Sequence, residues 1–242
     1  LVIVEYFYQE QKAKGGFIMK YSGVIFDFNG TLFFDSDKQE ASWRAYSEKV
    51  RGYPLSGEEM LHKMHGRPNK AVLEYLTGQS IEEEILLKMG QEKEQLYRDM
   101  CKEDVQNTKL TPGSIELFEF MIVQKIPFTI ATASEITNVK FFFEVFELGK
   151  WFDFEKVVYD DGLMRGKPEP DIYLKAAAKI DISPSKCIVV EDAISGIEAA
   201  YCANIGKIVA IGPKCNHDNL KKNKGVSTVI SDFTEFDKSY FS

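Results

Sequence analysis

Seven polar side chains of this 242-residue chain, Asp27, Asn29, Thr132, Ser134, Lys167, Glu191 and Asp192, are of types that do chemistry when gathered: carboxylates, an amide, hydroxyls and an amine. The stretch VIFDFNGTLFFD (24–35) runs three apolar residues into Asp27 and then turns through Asn29 and Gly30. Alone it reads as an ordinary turn, in which Asp and Asn bond their own backbone and Gly takes positive φ. Its other reading is an acidic nucleophile, and the choice depends on what else in the chain points there. Thr132 and Ser134 close PFTIATAS (127–134), and Glu191 and Asp192 close KCIVVED (186–192). Carboxylates from two strand ends beside a hydroxyl from a third, with no His or Cys partner, suit a hard cation. Mg²⁺ is the usual one where phosphate is handled. Near such a cation a carboxylate stays ionised and can attack phosphorus to give an aspartyl phosphate. Thr132 and adjacent main-chain N–H groups, that of Ala133 included, can donate to phosphate oxygens, and Lys167 in GKPEPDIY can add positive charge. A lysine there reads equally well as a solvated loop residue, although Gly166 and Pro168 restrict its path.

The elements that must bring these residues together are legible as alternation. From about residue 109 onward the β-rich runs PFTIATAS, KVVYD (156–160), KCIVVED and KIVAIG (207–212) alternate with segments of helical spacing, and SGVIFDF belongs with the runs. Continuous apolar strands separated by helices indicate a parallel sheet covered on both faces, in which ligands bind beyond the carboxyl ends of the strands. Residues 36–108 contain amphipathic helices broken by Gly and no β-rich run, so they read as a helical insertion after the first strand. Thr111-Pro112-Gly113 marks the return to the sheet. FFFEVFE (141–147) reads as core packing on a helix that covers the sheet.

Thirty basic and 37 acidic residues give a net charge of −7 without long like-charge blocks, so nothing marks a nucleic-acid groove or an anionic membrane surface. The four cysteines show no CxxC spacing and read as small core hydrophobes in a reducing compartment. No apolar run reaches the ~18 residues of a membrane span. A soluble cytoplasmic monomer is the expectation. Residues 1–18 lack the pattern of a signal peptide. They precede Met19, and Lys14-Gly15-Gly16 can be encoded by a bacterial ribosome-binding sequence, so they read as a leader or extension outside the fold.

DFNGT, the strand-end threonine of TIATAS, GKPEPDIY and VVEDAISGIEAA, in this order, resemble the four motifs of the haloacid dehalogenase superfamily. The similarity is strongest to its β-phosphoglucomutase-like phosphatases and mutases. It implies an α/β fold, a doubly wound Rossmann-like parallel sheet of residues 19–35 and 109–242, with an α-helical cap domain at 36–108. It implies Asp27 as nucleophile, Thr132 and Lys167 at the phosphate, and Mg²⁺ held by Asp27, the Asn29 main-chain carbonyl and the Glu191–Asp192 pair. Asp192 is expected as the direct ligand and Glu191 as one acting through water. A two-component receiver domain shares this residue set, but its acidic pair comes first and it has no cap.

The family pattern is DxDGT, and Asn29 stands where its second Asp protonates the leaving group and activates water. An amide cannot shuttle that proton, a function worth ~10²–10⁴-fold. The substitution is compatible with a slow or specialised enzyme, a residue introduced to trap a complex, a phosphometabolite-binding or regulatory protein, or an Asn-Gly pair that deamidates to Asp. His62 and His65 are candidate replacements for the acid, against a plainer reading as packing or surface residues. Arg67, Asn69 and Lys70 lie where such caps carry a specificity loop. Aligned by Gly66 with β-phosphoglucomutase, the arginine that grips the second phosphate falls opposite Asn69. That favours hydrolysis of small phosphorylated metabolites, sugar phosphates among them by family resemblance, over a phosphosugar mutase.

Overall fold

The computed structural model describes residues 20–64, 67 and 69–242. The expectations resting on residues 1–18, His65 and Gly66 lie outside the described residues. Short apolar runs form six strands: β1 (Gly23–Phe26), β2 (Phe128–Glu135), β3 (Val158–Asp160), β4 (Cys187–Glu191), β5 (Lys207–Ile211) and β6 (Val226–Ile230). They pair in parallel throughout, in the order β3-β2-β1-β4-β5-β6. The central strands β1 and β4 are buried along their whole length, as strands covered on both faces require. The chain direction across the sheet reverses at β1, which lies between β2 and β4, so the ends of these three strands open into one crevice.

Side chains alternate between the two faces with period two. Val24, Phe26, Ile188 and Val190 enter one cluster, and Ile25, Val189 and Ala210 the other. The first face is aromatic: Phe26 meets Phe118, Phe152 and Phe233 edge to face, each buried ring contributing ~1.5–3 kcal/mol. The helices are α1 (Ser36–Arg51), α2 (Asn69–Thr77), α3 (Glu83–Glu103), α4 (Ser114–Gln124), α5 (Ile136–Val145), α6 (Asp171–Lys179), α7 (Ile194–Cys202) and α8 (His217–Lys221). Phe141, Phe142 and Phe146 are buried, as the FFFEVFE pattern predicts. Phe142 stacks on Phe28 at 4.2 Å and Phe146 lies 5.0 Å from Phe33, so this segment anchors the turn that follows β1.

The helices inserted after β1 form a cap with a core of its own, built on Trp43, Tyr46, Met60, Leu73, Leu76 and Ile81. Helix α3 belongs to both bodies. Its Met89 and Leu96 pack on the cap cluster, while Tyr97 and Cys101 enter the aromatic cluster beneath the sheet. The outgoing and returning connections are tied together, because Thr111 donates its N–H to the Leu32 carbonyl at 2.9 Å and its hydroxyl to the Thr31 carbonyl at 2.8 Å.

Four details differ from the expectations. Strand β6 is additional. Thr132 lies within β2, which continues to Glu135. The described part of SGEEMLHKMHG, SGEEMLHKM, forms one capped α-turn at Gly57–Glu59 that widens into a π-helical turn at Met60–Met64. Cys101 and Cys187 are buried, but Cys202 and Cys215 are exposed free thiols, because α7 ends with Cys202 turned outward and Cys215 lies on a surface turn. Among the described residues no helix is long and apolar enough to cross a membrane.

Candidate active site

Asp27 leaves the end of β1 and Glu191 is the last residue of the adjacent β4, so neighbouring parallel strands set their carboxylates side by side. The Asp27 N–H is held by the Val190 carbonyl at 3.0 Å, and the side chain is buried, with the residue only 6% exposed. Lys167, brought in by the loop ahead of α6, donates to Asp27 Oδ1 at 2.6 Å and to Glu191 Oε2 at 2.7 Å. The same Glu191 oxygen accepts from the buried Tyr173 hydroxyl. Glu191 Oε1 accepts from the N–H groups of Asp192 and Ala193 at 3.1 and 3.0 Å. Protein donors therefore fill both oxygens of Glu191, which makes it the support of Lys167. Asp192 is less enclosed, and its Oδ1 accepts from the Thr31 hydroxyl at 3.2 Å.

Two glycines make room for the acidic pair. Gly30 has φ +77°, and a Cβ there would lie 2.1 Å from Asp192 Oδ2; a Cβ on Gly196 would lie 1.9 Å from Glu191 Oε2. Gly196→Ala forces Glu191 from its seat and loosens Lys167 with it. The expected cost is about 2 kcal/mol by overpacking, read as a lower unfolding midpoint, with partial recovery when the shorter Glu191→Asp is added. An unchanged midpoint in Gly196→Ala would contradict this packing.

Three carboxylates face one ammonium, and the charges respond. Burial, reinforced by Glu191 and opposed by Lys167, pushes Asp27 up to about 7 from 3.8. Burial and the charges of Glu191 and Asp27 hold Asp192 well above the usual carboxylate range. Burial also acts against ionised Glu191, but the Lys167 charge and hydrogen bond outweigh it and lower its pKa. For Lys167, burial opposes the charged form, yet Asp27 and Glu191 raise its pKa well above normal. Asp27, Glu191 and Asp192 each offer an oxygen within 4.8 Å of the others, with no nitrogen or sulfur donor in the set. An all-oxygen, electron-rich cluster with mutually repelling members fits a divalent hard cation.

Thr132 is buried and its hydroxyl accepts from the Ser134 N–H at 3.1 Å, while Ala133 beside it is exposed. Asn29 is held at both ends: Nδ2 donates to Asp35 Oδ2 at 2.7 Å and to the Tyr97 hydroxyl at 3.2 Å, and Oδ1 accepts from the Ser134 hydroxyl at 2.8 Å. Arg67, Asn69 and Lys70 are exposed, with Lys70 4.0 Å from Glu74, and His62 is exposed on the π-helical turn. Asp35, Tyr97 and Tyr173 are additions that sequence reasoning missed. Asp35 and Tyr173 each end a stretch already singled out, VIFDFNGTLFFD and GKPEPDIY, whereas nothing local marks Tyr97 among the polar residues of α3.

A model of the haloacid dehalogenase-like hydrolases matches residues 21–204. A phosphorylated carbohydrates phosphatase of Thermotoga maritima is 29% identical over 86% of this chain and 93% of its own. Hexitol phosphatase A of Escherichia coli is 30% identical over 81% of this chain and 85% of its own. The crystal structure of a HAD hydrolase, family IA, variant 3, from Entamoeba histolytica superposes with a TM-score of 0.86 at 40% identity, covering 91% of this chain and 97% of that one.

Proposed function

Since the chain belongs to the haloacid dehalogenase-like hydrolase family, we propose that it is a Mg²⁺-dependent phosphatase of small phosphorylated metabolites, sugar phosphates included, working through a phosphoryl group carried on Asp27. The observation that carries this reading is the Lys167 ammonium lying between the Asp27 and Glu191 carboxylates, beside Asp192. The similarity to phosphatases of phosphorylated carbohydrates and hexitols supports the substrate class. In this reading residues 19–35 and 109–242 are the catalytic core and residues 36–108 the cap that closes on it.

Lys167 holds one oxygen of Asp27 and orients the carboxylate, so that the other can form the bond to phosphorus. Glu191, fixed by Tyr173 and two main-chain N–H groups, keeps Lys167 charged and in place. The Thr132 hydroxyl and the Lys167 ammonium donate to phosphate oxygens as charge develops on them. Asp27, the Asn29 main-chain carbonyl and Asp192 would hold Mg²⁺, with Glu191 acting behind them. When bound, the cation supplies the positive charge that lets carboxylate and phosphate approach.

Phosphate release from a panel of phosphorylated sugars is expected to require Mg²⁺, to stop with chelator and to disappear in Asp27→Asn. Equal release by Asp27→Asn would overturn the proposal. Tight binding of phosphorylated ligands with no release in either Asn29 or Asn29→Asp protein would establish the non-catalytic reading, and isomerisation without net release the mutase.

A further inference from the structure

A phosphate ester of an ordinary alcohol breaks readily only when the departing oxygen receives a proton; carboxylate, enolate and phenolate oxygens leave without one. Position 29 decides which of these the site can serve. The Asn29 amide carries no transferable proton, and its seat is built for an amide. The Asp35 carboxylate accepts from Nδ2 at 2.7 Å, and the Ser134 hydroxyl donates to Oδ1 at 2.8 Å. The surroundings hold both partners. Asp35, 2% exposed, also accepts from the Gly30 N–H at 3.0 Å, the Gln39 amide at 3.1 Å and the Tyr97 hydroxyl at 2.6 Å. Lys167 is committed to Asp27 and Glu191. Of the histidines among the described residues, His62 is exposed and His217 is bonded to the Gly212 carbonyl.

We infer that this enzyme takes phosphoryl groups from activated donors, namely acyl, enol and aryl phosphates, in preference to esters of ordinary alcohols. Among sugar phosphates it then favours those at the more acidic anomeric oxygen over those of primary alcohols. The inference rests on the Asp27 reading above. An Asp27 oxygen bonds to phosphorus as the bond from phosphorus to the leaving oxygen breaks. The electron pair departs on that oxygen and no proton is transferred. Water then bonds to phosphorus, the Asp27–phosphorus bond breaks with its pair returning to the carboxylate, and both protons of the water stay with the phosphate.

The test compares kcat/KM for phenyl phosphate and benzyl phosphate, two donors of similar shape whose leaving oxygens belong to a phenol and to an ordinary alcohol, and for acetyl phosphate against glucose 6-phosphate. Because kcat/KM reads events up to departure of the leaving group, slow hydrolysis of the phosphoenzyme does not mask the result. For the protein as it stands the poorer donor of each pair is expected to be slower by about 10²-fold or more, and Asn29→Asp to shrink that ratio by about 10-fold or more, since proton donation is worth ~10²–10⁴-fold. Rates within about threefold of one another for each pair, still abolished by Asp27→Asn, overturn this inference and leave the phosphatase reading intact. No release from any donor, or release that survives Asp27→Asn, overturns both.

Discussion

Asp27→Asn is expected to lose activity and gain stability. Removing the oxygen proposed to bond to phosphorus is expected to lower kcat by about 10⁴-fold or more, the scale on which loss of a nucleophile acts. The gain follows from the carboxyl being pushed up from 3.8 to about 7, first by burial and then by Glu191 against the opposing Lys167. The folded chain holds this proton more tightly than the unfolded chain. The contribution of Asp27 to stability is therefore full below about pH 4 and is lost as pH rises to about 7, where the ionised group has become a burden. An uncharged amide removes that burden. Without metal, the variant is expected to be more stable at about pH 8 by on the order of 2–4 kcal/mol, with the difference vanishing near pH 4. Denaturant unfolding in chelator at the two pH values measures it. Added Mg²⁺ is expected to narrow the gap by relieving the parent protein. A variant less stable at both pH values would show that the carboxylate supports the fold, against the electrostatics described.

Lys167→Met has the opposite signature, losing activity and stability together. The substitution keeps much of the volume and removes the one ammonium that bridges Asp27 and Glu191. Withdrawing one partner from a buried ion pair typically costs ~3–5 kcal/mol, because the remaining charges stay buried without compensation. The loss should be largest at neutral pH and shrink on acidification, as the carboxyls take up protons. A divalent cation can replace part of the missing charge, so unfolding midpoints measured with and without Mg²⁺ should differ more in Lys167→Met than in the parent. Turnover is expected to fall by about 10²-fold or more even at saturating metal, because orientation of Asp27 and donation to phosphate are lost. A midpoint unchanged at neutral pH in chelator would remove Lys167 from the role assigned to it.

Much of this arrangement was legible because it is written at strand ends. Apolar runs closing on Asp27, Glu191 and Asp192 indicated a parallel sheet and a shared crevice, whereas Lys167 in GKPEPDIY read equally well as a solvated loop residue and was set beside them only by the four-motif resemblance. The edge strand β6 escaped notice for a physical reason: VSTVI is half exposed and carries Ser227 and Thr228, so it lacks the continuous apolar character of β1 and β4. Cys202 misled because its helix is apolar as a whole, and spacing within a short helix does not fix which way its last residue points. The surroundings of Asn29 were hidden more deeply. Ser134, Asp35 and Tyr97 come from three separate parts of the chain, and only tertiary packing shows that they seat an amide. The substitution in DFNGT was visible; the matching pocket was not.

The double allegiance of α3 limits how this protein can be re-engineered. A chimaera that grafts a foreign lid to change substrate choice cannot simply be spliced where the helical insertion ends, because Tyr97 and Cys101 would be discarded with it. The donor segment would have to stop short of the last two turns of α3, or supply its own phenol to Asp35.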